Sequence, residues 1–118
     1  MKLRISNQSL RLRINQDDLV QLTATGRLEE QFGNNAVGSW RYTLASHKSK
    51  QIEIKIGSND ITIFIPQANV AEWNDTDRVS FERSVSGLRI LLEKDFQCLT
   101  DRPGENESLN FENPKSRH

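Results

Sequence analysis

A chain of 118 residues, 27% charged and 35% hydrophobic, is long enough for one domain core and too short for two. Its 16 basic and 16 acidic residues cancel, so overall charge exerts no pull toward nucleic acid or an anionic membrane. A single cysteine excludes an internal disulfide framework and fits a reducing cytoplasm; no apolar run is long enough to cross a bilayer, and Met1–Leu10 has no signal-peptide core.

Leu3 and Ile5 alternate with Lys2 and Arg4; after Asn7-Gln8, Leu10, Leu12 and Ile14 alternate with Arg11 and Arg13. Period-two alternation marks strands with one buried face, so residues 1–14 read as a β-hairpin with a basic outer face. The pattern then changes. Asn15 is an N-cap, Asp17 and Asp18 put negative charge at the positive end of a helix, and Gly26 is a stop. The spacing of Leu19 and Leu22 predicts a helix over 16–25, too short to stand alone and therefore packed on the sheet.

Strand signals return over Arg27–Phe32, with a turn at Gly33-Asn34-Asn35, and again where Trp40, Tyr42 and Leu44 alternate with Arg41 and Thr43. Ile52, Ile54 and Ile56, a Gly57–Asp60 turn, then Ile61, Ile63 and Ile65 form the clearest hairpin. Pro66 opens a short segment, Gln67–Trp73, read as a helical turn with Val70 and Trp73 facing inward. Val79 and Phe81, the Ser86-Gly87 turn, and Leu88, Ile90 and Leu92 complete the last hairpin.

These signals predict an α+β domain over 1–100. Its sheet is mainly antiparallel, strongly curved or partly closed, with about six or seven strands and one main helix after the first hairpin. Residues 101–118 read as a polar tail wrapped on the domain, with Phe111 and Pro114 as anchors. The chain has no internal repeats and no low-complexity tracts on this reading.

Three groups carry chemistry. Cys98, with Lys94 four residues before it and Arg102 four after, has an electropositive setting that could activate a thiolate. Its partners for catalysis are thin: the only histidines are His47 and His118, and a lone cysteine is more often a small buried hydrophobe. Lys2, Arg4, Arg11 and Arg13 could hold an anion, because arginine forks bind carboxylate and phosphate. The plainer reading of those cations is a solvated face paired with acidic neighbours, and no aromatics interleave them for nucleic acid. Glu93, Lys94, Asp95, Arg102, Glu105 and Glu107 read as a salt-bridge network tying the tail to the last strand. No metal spacing or phosphate-cradling glycine loop is present, so neither a metal nor a cofactor is expected.

Leu10-Arg11-Leu12-Arg13 near the start and Glu93-Lys94-Asp95-Phe96-Gln97-Cys98-Leu99 near the end resemble a family of small uncharacterised bacterial proteins, a domain of unknown function. Phe111-Glu112-Asn113-Pro114 is similar to that family's close, apart from Glu112 in place of its usual proline. The resemblance runs nearly end to end. It implies a stand-alone bacterial cytoplasmic domain, with Cys98 and the tail integral to the fold, and no assigned activity.

The leading expectation is a non-catalytic binding or protein-interaction module, acting as a homodimer or through another protein, because Phe64 and Leu91 put apolar surface on otherwise polar strand faces. The alternative is an anionic-small-molecule-binding protein or enzyme using Arg4, Arg11, Arg13, Lys94 and Arg102, with Cys98 beside them. Whether the chain is an enzyme stays open at this point; neither nucleic acid nor membrane is expected as a partner.

Overall fold

A computed structural model describes residues 1–95, so Cys98, Arg102 and the tail expected over 101–118 lie outside the described residues. The chain runs β1 (Lys2–Ser6), β2 (Ser9–Ile14), α1 (Gln16–Thr25), β3 (Arg27–Asn34), β4 (Gly38–His47), β5 (Glu53–Ile56), β6 (Asp60–Pro66), α2 (Gln67–Asp75), β7 (Ser80–Val85) and β8 (Leu88–Lys94).

The expected single curved sheet is replaced by two four-stranded sheets, β1-β2-β8-β7 (sheet A) and β3-β4-β6-β5 (sheet B). Nor are they mainly antiparallel throughout: each is two antiparallel hairpins joined by a central parallel pair, β2 with β8 and β4 with β6. Alternation along a strand marks which residues face inward but is silent on which distant strand lies beside it. The parallel pairings join residues such as Leu12 and Leu92, and are invisible locally. Nor is there one helix. Gln67–Asp75 is a full helix, held less by propensity than by its packing, since Val70 and Trp73 are both buried. Each large apolar side chain so buried contributes roughly 1.5–3 kcal/mol.

Contrary to the expected lack of internal repeats, the architecture is a repeat. Hairpin, helix, hairpin (β1-β2-α1-β3-β4) is followed by the same order again (β5-β6-α2-β7-β8), and each sheet takes one hairpin from each half. The parallel pairs obey the same relation: β2 against β8 in sheet A is β6 against β4 in sheet B. Residues match one to one. Leu10, Leu12 and Ile14 correspond to Ile61, Ile63 and Ile65, and Leu22 on α1 corresponds to Trp73 on α2. All eight are core residues, and each half completes its core only with the other.

The inner faces of both sheets and both helices contribute to one core cluster, so the sheets face each other. Trp73 donates its indole N–H to the Val79 carbonyl at 3.2 Å and its ring lies 5.2 Å from Phe81. Helix α1 is held by a reciprocal capping box: Asp18 N–H donates to Asn15 Oδ1 at 2.8 Å, and Asn15 N–H donates to Asp18 Oδ2 at 3.0 Å. Gly26 closes it at φ 78°, a left-handed conformation that glycine takes without penalty.

At one margin between the sheets, the Met1 α-ammonium pairs with Asp18 (2.9 Å) and Glu30 (3.1 Å), and Tyr42 donates its hydroxyl to Glu30 at 2.8 Å. At the opposite margin, Arg83 reaches across to the Ile52 carbonyl.

Candidate functional site

The four cations of the first hairpin are brought together. Register pairs Lys2 with Arg13 and Arg4 with Arg11, so these residues alternate with core-facing Leu3, Leu10 and Leu12 and share the outer face of sheet A. Arg89, on β8 opposite Ser9, adds a fifth cation. Like charges directly opposed across a strand pair are destabilising, and here there are two such pairs in succession.

Their neutralisation is uneven. Toward the helix end, Glu93 receives Arg13 at 3.0 Å and Arg11 at 3.5 Å, and Asp95 receives Lys2 at 3.0 Å. Toward the turn end, Arg89 pairs with Glu82, which lowers the Glu82 carboxyl from its ordinary value. Arg4 has no ion pair among the described residues. It borders two adjoining hollows. One, of about 240 Å³, is lined by Arg4, Ser6, Ser9, Arg11, Arg89 and Leu91; the other, of about 230 Å³, by Lys2, Leu3, Arg4, Arg11 and Arg13.

The second sheet shows what the fold itself requires at these positions. The counterparts of Lys2, Arg4, Arg11 and Arg13 on β5 and β6 are Glu53, Lys55, Thr62 and Phe64, in the same register. One structural ion pair is kept in both halves: Arg89 with Glu82 in sheet A corresponds to Arg41 with Glu29, 2.8 Å apart, in sheet B. The scaffold is thus duplicated while the concentration of positive charge is not. Sequence reading found the basic hairpin but missed Arg89, which joins it only through the parallel β2–β8 pairing.

Lys94 is not part of this face. It lines a hollow of about 430 Å³ with Ile14, Asn15, Gln16, Asp17, Leu19 and Asp95 at the start of α1. Cys98 and Arg102 fall outside the described residues, as do Glu105 and Glu107; within the acidic-basic cluster the described members Glu93 and Asp95 turn to the basic hairpin instead.

His47 ends β4, on the other sheet, with Nε2 3.1 Å from the Gln51 carbonyl oxygen and its ring 5.4 Å from Phe64. Among the described residues no group of three or more His, Cys, Asp or Glu is arranged to hold a metal ion. None of their helices is long and apolar enough to cross a membrane.

Tyr42 lies beside the Met1, Asp18 and Glu30 cluster. Burial, reinforced by its hydrogen bond to Glu30, pushes its hydroxyl up to about 12. Burial opposes charge on the Met1 ammonium, but hydrogen bonds to Asp18 and Glu30 outweigh it and raise that group. Every polar member of this cluster has a partner, and it joins α1 to sheet B.

Residues 1–95 therefore form a duplicated two-sheet fold in which the outer face of one hairpin concentrates cations. The chain belongs to a family of unknown function, DUF7009, whose model matches residues 1–115. Among curated proteins, none matches it.

Proposed function

We propose that this chain is a non-catalytic binding module whose working surface is the outer face of sheet A and whose ligand or partner is anionic. One observation carries the reading: of two equivalent hairpins on one duplicated scaffold, only the first concentrates four cations. The second hairpin folds in the same register with mixed residues. Of the two opposed cation pairs in the first, Arg4–Arg11 is the one that its carboxylate neighbours do not fully offset, so it stands at a cost to stability. Such a cost is expected where a site is built for a ligand.

Apolar contact supports the reading less. Leu91 lies on the outer face of sheet A and Phe64 on that of sheet B, so the two do not form one patch. A protein partner or a second copy would engage through charge, with Leu91 as a minor contact. The cytoplasmic setting read from the single cysteine belongs to this same proposal.

Thermal unfolding in the presence of pyrophosphate or citrate tests it, because a ligand of the folded state raises the midpoint by mass action. At matched ionic strength at least one of these anions should raise the midpoint of the native protein and leave an Arg4→Thr/Arg11→Thr double variant unmoved. Equal responses of the two proteins, or none, would contradict the proposal.

A further inference from the structure

Resting on that reading, we infer that the ligand's anchoring group is a phosphoryl group, seated at the turn end of the face between Arg4, Arg11 and Arg89. Three observations place it there. Glu93 and Asp95 already neutralise the helix end, which leaves Arg4 as the cation without a carboxylate among the described residues. The hollow beside it is lined by three guanidinium groups and two hydroxyls, Ser6 and Ser9, and by no carboxylate. Arg11's contact with Glu93 is the longer of the two that Glu93 receives, 3.5 Å against the 3.0 Å of Arg13, which leaves its fork free to turn toward Arg4.

The chemistry of this lining selects among anions. Guanidinium forks donate in a plane and bind two oxygens at once. The whole Arg4 fork, the N–H groups of Arg11 and Arg89 that Glu93 and Glu82 leave unused, and the Ser6 hydroxyl border this hollow, while the Ser9 hydroxyl donates to the Ser6 carbonyl. A carboxylate brings two oxygens to these donors, whereas a terminal phosphoryl group presents three oxygens and up to two charges. The adjoining hollow shares Arg4 and Arg11 and continues toward Lys2 and Arg13. A second phosphoryl group joined to the first through a bridging oxygen would extend toward that hollow while the shared Arg4 and Arg11 hold both. The outer faces of β1, β2, β7 and β8 present no aromatic side chain on which a base could stack, so a compact phosphorylated ligand fits better than single-stranded nucleic acid.

Calorimetric titration of the full chain with pyrophosphate, inorganic phosphate, citrate and malonate, all at one ionic strength, tests the inference. Pyrophosphate should bind at least about tenfold more tightly than citrate. Arg4→Thr should weaken pyrophosphate by about tenfold or more. Arg4→Lys, which keeps the charge and loses the fork, should weaken it several-fold, and Lys48→Gln in the β4–β5 connection should change nothing. Citrate or malonate binding as tightly as pyrophosphate, or pyrophosphate affinity unchanged in Arg4→Thr, would overturn the phosphoryl assignment while leaving an anion-binding face standing. No binding of any of the four anions would overturn both.

Discussion

Replacing Arg4 with threonine should make the protein more stable while it weakens anion binding. Arg4 and Arg11 are directly opposed on β1 and β2, and β1 is an edge strand. Two unit charges about 8 Å apart in a water-like dielectric repel by on the order of 0.5 kcal/mol. Removing one restores about that much, and a β-branched residue on an exposed strand acts in the same direction. For a domain of about 100 residues, 0.5 kcal/mol raises the unfolding midpoint by roughly 2–4 °C. The gain should be largest at low ionic strength. It should shrink as the Debye length falls from about 10 Å at 0.1 M to about 3 Å at 1 M salt. Circular dichroism melts of native and Arg4→Thr protein at both salt levels read the effect directly. A loss of about 1 kcal/mol or more on substitution would show instead that the Arg4 stem packs structurally. An unchanged gain at high salt would remove electrostatic repulsion as its cause.

The duplicated core makes a paired prediction: Leu22→Ala should cost about 2–5 kcal/mol and Trp73→Ala about 3–5 kcal/mol in denaturant unfolding, because each fills the corresponding place in its half. Tyr42 is the only tyrosine, so the ultraviolet phenolate band reports it alone; it should ionise near 12 in the native protein and near 10 when unfolded, and Glu30→Gln should bring the native value down. Both Tyr42 and the Met1 ammonium are raised in the fold, so the stability they contribute is present below their ordinary values of 10 and 8. It should be lost as pH climbs through the raised ones, and urea titrations from neutral to alkaline pH would show a progressive fall. Finally, β4 and β5 are separated in sheet B by β6, a span of about 9.6 Å between strand axes. Deleting residues 48–51 leaves Ile52 alone to bridge His47 and Glu53, a reach of about 7 Å. Light scattering should then find a dimer in which halves are exchanged between chains; a stable monomer would refute the intertwined topology.

Local structure was largely legible in the residues. The alternation of Leu10, Leu12 and Ile14, the Asn15 cap and the Gly26 stop place β2 and α1 where they are found, and the isoleucine ladder of Ile52–Ile65 marks β5 and β6. What the residues withheld is non-local. Parallel pairing of β2 with β8 depends on side chains packing across the core rather than on a turn, so nothing near Leu12 names Leu92. The repeat was hidden for a related reason: packing asks only for an apolar residue, and leucine on one half meets isoleucine or tryptophan on the other. Arg89 was overlooked as a member of the basic face because its membership is a consequence of that same pairing.

Amide chemical-shift mapping of the full chain with pyrophosphate tests the specialised face of sheet A most directly. Saturable changes should centre on Arg4, Ser6, Ser9, Arg11 and Arg89, with the counterparts Lys55, Thr62 and Arg41 silent. Changes of equal size on both sheets, or changes centred elsewhere, would contradict it.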